Sequence, residues 1–265
     1  MVPEHATLGI LFLTVCLIGP VIYFIRVART RPDLYVRRIP GVDAIDEAVG
    51  RSAELGRPAV FSSGLTDVGP VLYACLGVVH YIARKAAVFK TKLLLPQYRP
   101  EVMAITEDVA REAYRAEGRA GTFDPTTVTY LSSEQFAFAA GYIGLVQRER
   151  VSSAFLFGSF AAESLVLAEA GQQVGAMQVA ASVSPEQVAF FICACDYTLI
   201  GEELFAASAY LTREEVQLGS LYGQDRAKAL ILVLIIVGVV IATVNSIWPE
   251  LRLPNIDHFL LYELW

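Results

Sequence analysis

Two stretches of this chain run without a charged residue for longer than a soluble element needs. Leu8 to Ile25 is 18 residues long and Ala229 to Trp248 is 20. A bilayer core of about 30 Å takes about 20 apolar residues in a helix, so both stretches read as membrane spans. Gly19 and Pro20 interrupt the first and would bend or break it, which membrane helices tolerate. A cleaved signal peptide carries its positive charge ahead of the apolar stretch. Here residues 1–7 hold no Lys or Arg, while Arg26, Arg29, Arg31, Arg37 and Arg38 follow. That is the charge order of a reversed signal anchor.

The same charges orient the chain. The five arginines stand at one end of the intervening segment and Arg226 and Lys228 at the other; beyond the second span only Arg252 is basic. The positive-inside rule then makes the central segment cytoplasmic, in a cell (inner) membrane, with both termini outside. The expected plan is an external N-terminus (1–7), a transmembrane helix (8–27), a cytoplasmic domain (40–225), a transmembrane helix (229–248) and an external interfacial tail (249–265). Of all residues 55% are hydrophobic and 18% charged, with a net charge of −6. Low charge excludes a disordered chain, and the acidic balance argues against a nucleic-acid partner. Four Cys and three His are too few for a disulfide scaffold or a zinc module.

Between the spans, short apolar runs alternate with helical ones, the pattern of an α/β domain with a mainly parallel, Rossmann-like sheet. Expected strands are 59–61, 92–95, 128–131, 154–157, 176–181 and 188–195, the last giving Cys193 and Cys195 one common face. Expected helices include 43–55, 70–89, 101–117, one to about Arg148 opened by a Ser132/Gln135 capping box, 161–170 and 198–211. A Thr212/Glu215 box then opens a helix running into the second span. Val71–Val79 and Phe136–Leu145 are apolar nearly all round, which demands burial on several sides. Two such helices point to a homo-oligomer or a larger membrane complex.

In a parallel sheet, ligands bind beyond the carboxyl ends of the strands. The residues expected there are Ser62, Ser63, Gly64, Thr66 and Asp67, then Ser132, Ser133 and Glu134, then Gly158, Ser159 and Glu163, and finally Asp196 and Thr198. Such residues could present amides to an anion, and Asp67, Glu134, Glu163 and Asp196 could hold a divalent cation. They are equally the preferred helix caps, and the pattern names no cofactor, no metal ligand and no catalytic residue. Gly64 and Gly69 have P-loop spacing, but Pro70 follows where Lys belongs. A Gly-x-Ser-x-Gly elbow and a His-Glu-x-x-His pair are absent from the sequence. His80 reads as a packing residue, and Glu202-Glu203 as partners for Arg84, Lys85, Arg148 or Arg150.

Phe61-Ser62-Ser63-Gly64, Glu163-Ser164, the run Cys195 to Glu203, Gly219 and Gln224-Asp225 resemble a family of uncharacterised prokaryotic two-span membrane proteins with a domain of unknown function. The resemblance covers most of 40–248 and implies a cytoplasmic domain joined to a span, with no activity attached. The expected function is a membrane-anchored scaffold that assembles through its α/β domain, bound to the lipid bilayer. The alternative is a tethered sensor or enzyme for a small ligand, nucleotide or metal.

Overall fold

The computed structural model describes residues 8–30 and 39–248, which divide into two units. One consists of two long helices, α1 (Leu8–Thr30) and α9 (Glu215–Ile247). The other holds, in order, α2 (Pro40–Leu55), β1 (Ala59–Gly64), α3 (Pro70–Phe89), β2 (Leu93–Gln97), α4 (Pro100–Ala116), β3 (Val128–Tyr130), α5 (Gln135–Glu149), β4 (Ser153–Ser159), α6 (Ser164–Gln173), β5 (Met177–Ser182), α7 (Pro185–Ala194), β6 (Tyr197–Ile200) and α8 (Glu203–Thr212). The expected external segments 1–7 and 249–265 lie outside the described residues, as do Arg31, Arg37 and Arg38.

The six strands form one sheet in the order β3-β2-β1-β4-β5-β6, parallel at every pairing. Strand alternation sorts its side chains into two cores. Phe61, Phe155, Phe157, Val179 and Leu199 pack with α2, α3, α4 and α8. Val60, Leu156 and Ala180 pack with α5, α6 and α7 on the opposite face. With both faces covered, the strands read as continuous apolar runs. Four helices, α2, α3, α4 and α7, begin with proline in the first turn, where its missing N–H costs nothing.

Several expected boundaries shift. Strand β2 does not stop at Pro96 but runs to Gln97; from Leu95 onward its register is with β3 alone, so a missing donor there disturbs one short ladder. The stretch 188–194 is helical, not a strand, and Cys195 is its extended C-cap: Ser184-Pro185 starts α7, and Val188, Phe191 and Ala194 are buried at threefold spacing. Cys193 and Cys195 therefore share no strand face. Instead of a helix from Thr198, the chain forms β6 and then α8. Neither capping box forms. Ser132 Oγ accepts from Glu134 N–H at 3.0 Å, and α5 starts after Glu134. Thr212 ends α8, donating to Ser208 O at 2.9 Å.

Helix α3 explains its own composition. Ten of its residues are buried against the sheet and neighbouring helices, and at Gly77 the approach to Ser208 Oγ leaves no room for a Cβ. Among the described residues three helices, Gly9–Thr30, Pro70–Phe89 and Glu215–Ile247, are long and apolar enough to cross a membrane, which suggests a membrane protein. More than half of the most apolar part of α3 is already buried, and none of that of α1 or α9.

Within the helical unit, α1 continues unbroken through Pro20. It packs antiparallel on α9 where Gly219 meets Ile25 Cα and Gly223 meets Val21 Cα, too close for any Cβ. Phe24 lies 6.1 Å from Tyr222 between ring centroids, and Arg29 Nε sits 3.8 Å from Glu215 Oε2. This small-xxx-small pair lets two backbones touch.

Candidate functional site

The strand order reverses between β1 and β4, and in an open α/β sheet that reversal opens a crevice beyond the carboxyl ends. Ser62, Ser63 and Gly64 lie inside the end of β1, with Gly64 level with Ser159 of β4. Gly158 has φ +146°, and a Cβ there would strike Ser63 O and Thr66 Oγ1. The two strand ends are thus pressed together.

The polar groups at this junction bond to one another. Gly64 N–H donates to Ser62 Oγ at 3.1 Å, Leu65 N–H to Ser159 O at 2.8 Å and Thr66 N–H to Ser63 O at 3.3 Å. Thr66 Oγ1 donates to Ser63 O and accepts from Ser159 N–H at 2.8 Å. Glu163, fully buried, accepts from Ala161 N–H at 3.0 Å and from Gln135 Nε2 at 2.6 Å. These amides, free in the sequence reading to cradle an anion, are engaged within the fold.

The expected acidic set is dispersed. Asp67 pairs with Arg99, Nε to Oδ1 2.9 Å, an ion pair without hydrogen-bond alignment. Glu134 precedes α5. Asp196 accepts from Gln178 N–H at 2.7 Å, which puts it at the amino end of β5 and β6, opposite to the crevice. Thr198 lies within β6, its register partner Ala180, and its buried Oγ1 has no hydrogen-bond partner. The correction follows from α7: with 188–194 helical, Asp196 stands just before strand β6 rather than after a strand. Among the described residues no group of three or more His, Cys, Asp or Glu is placed to hold a metal. Two of the four expected partners of Glu202-Glu203 pair elsewhere, Arg84 with Glu117 and Lys85 with Asp46. Glu203 accepts from Ile200 N–H at 3.0 Å. Burial above all, then the Asp196 charge, pushes the Cys195 thiol up to about 12.

Gln97 lies beyond the expected strand 92–95 and is not among the sequence candidates, although β2 reaches it. It is fully buried, accepts from Ser63 Oγ at 2.9 Å, and leaves its Nε2 without a hydrogen-bond partner. A polar residue two places past an apolar run is the signal the sequence offers.

A family model described as a domain of unknown function (DUF6754) matches residues 3–251. No curated protein and no solved structure matches the chain.

Proposed function

The chain belongs to the DUF6754 family, a domain of unknown function, and from that premise we propose a membrane-anchored scaffold. In this reading α1 and α9 tie a cytoplasmic, Rossmann-like domain to the inner membrane of a prokaryotic cell, and the domain assembles copies of the chain or a larger membrane complex. The strand order β3-β2-β1-β4-β5-β6 supports the Rossmann-like reading, being the doubly wound order. Sidedness rests on the basic residues between the spans.

The observation that carries the scaffold is the sheet edge at β6. Tyr197 and Ile200 are exposed there, and Phe190 and Ile192 are exposed on the adjoining α7. An edge strand with no charge in Tyr197–Ile200 is a template for pairing. The engaged amides at the β1/β4 junction support structural roles for Ser62, Ser63, Gly64 and Ser159.

The test is the native mass of the chain extracted in mild detergent, with small molecules released by denaturation identified in the same sample. A discrete homo-oligomer, or a stoichiometric complex with another membrane protein, supports the scaffold. A monomer carrying a stoichiometric nucleotide or metal overturns it. One observation favours this second reading, a small-ligand sensor or enzyme: the unpartnered Gln97 amide buried beside Ser63, since a buried donor left unmade is costly.

A further inference from the structure

Antiparallel packing fixes which residues of α1 and α9 share a level. Ile25 meets Gly219, Val21 meets Gly223 and Arg29 meets Glu215, and in each pair the residue numbers total 244. Carried along the helices, this register sets Gly19 level with Asp225, Ile18 with Arg226, Cys16 with Lys228 and Leu8 with Ile236. The uncharged run of α1, Leu8 to Ile25, therefore lies beside 219–236 of α9, whereas the uncharged run of α9 is 229–248. Their centres are 11 residues apart, or roughly 16 Å at about 1.5 Å per residue.

One slab of hydrocarbon cannot be centred on both. Centred on α1 it would enclose Asp225, Arg226 and Lys228, all exposed on the surface of the pair, and charges facing lipid are strongly disfavoured. Centred on α9 it encloses no charge of either helix among the described residues. Just past one edge of that slab come Lys228, Arg226, Tyr222 and Tyr23, the residue types of the membrane interface. Trp248 marks the other edge. Tyr222 and Trp248 are 26 residues apart, about 39 Å along a helix, close to the roughly 40–45 Å of a bilayer with its headgroups.

The geometry points to an asymmetric seat in the bilayer: α9 fills the hydrocarbon thickness, and α1 lies in hydrocarbon only from Leu8 to about Cys16. Its next two turns stand in the headgroup layer on the side of Arg226 and Lys228, where Ile18, Ile22 and Tyr23 meet phospholipid headgroups. The sequence alone puts Ile18 near the middle of a span; the register puts it about 19 Å from the middle. This rests on the membrane reading above and goes beyond it by assigning depth.

The test uses the full chain in vesicles of phosphatidylcholine and phosphatidylglycerol, with Cys16, Cys193 and Cys195 replaced by alanine and buried Cys75 kept. A fluorophore is attached through Ile18→Cys, Ile22→Cys or Ile236→Cys. Nitroxide lipids labelled near the headgroup or near the chain end act as quenchers. The expected result is headgroup-level quenching at least threefold stronger than chain-end quenching at 18 and 22, with the reverse at 236. Chain-end quenching at 18 equal to that at 236 overturns the proposal, as does no quenching at 18 and 22 while 236 is quenched. No quenching at any of the three sinks the membrane reading itself.

Discussion

Gly158 shows what a single residue decides at the β1/β4 junction. At φ +146° with Ser63 O and Thr66 Oγ1 where a Cβ would be, it combines backbone strain with a clash. Gly158→Ala should cost about 1–3 kcal/mol from the backbone alone and more from the collision. Gly56→Ala, at φ +62° with open space around it, should cost about 1–2 kcal/mol. Thermal unfolding in detergent compares them. Glu163→Gln replaces one of the two accepting oxygens with an NH2, leaving either Ala161 N–H or Gln135 Nε2 without its acceptor, and should cost about 1–3 kcal/mol, read the same way; an unchanged melting temperature would contradict the bracing role. Cys195 gives a pH dependence. Its folded pKa, about 12, lies above the unfolded value of about 8.5. The stability it contributes is complete below the unfolded value and is lost as pH rises toward the folded one. Wild type should therefore lose melting temperature more steeply than Cys195→Ala from about pH 9 upward; parallel curves would refute it.

At the scale of elements, the three described helices long and apolar enough to cross a membrane have two different fates. Helix α3 is apolar because the sheet, α4 and α8 cover it, whereas α1 and α9 touch each other along one narrow seam and expose the rest, Phe12, Leu232 and Val239 among them. The seam depends on Gly219 and Gly223. A short bismaleimide should join cysteines placed at Arg29 and Glu215, and Gly223→Ile should reduce that yield by about tenfold, the effect of overpacking by 1–3 kcal/mol. Gly19→Ala, with nothing near its Cβ position, should leave the yield intact. An equal yield in all three proteins would mean the close approach does not hold the helices.

For the whole molecule, assembly is the property to measure. Ile200→Lys places a charge on the exposed β6 edge, a device that natural sheets use against pairing. It should lower the native mass in detergent to that of the monomer without lowering the melting temperature, because Ile200 is 54% exposed. An unchanged oligomer would move the interface elsewhere, with Phe136 of α5, 68% exposed, the next position to charge.

Element type was legible wherever composition and periodicity agreed: α3 begins at Pro70 and ends at Phe89, and β4 and β5 lie where the apolar runs put them. It failed at 188–195, where a continuous apolar run fits a buried strand or a helix equally, and that one error carried Asp196 to the wrong end of the sheet. Of the candidate site, the sequence marked the hydroxyls and glycines of the β1 and β4 ends, but not Gln97, nor which amides were already bonded. Family membership was also legible, in the residues from Phe61 to Asp225. By itself the sequence determined the long uncharged runs and the alternation of strand and helix, since both depend on near neighbours along the chain. Only the tertiary structure decided that α3 is a core helix, that the acidic residues are scattered, and that Gly219 and Gly223 offset one apolar run against the other. Those outcomes depend on which distant backbones touch, and no local pattern encodes that.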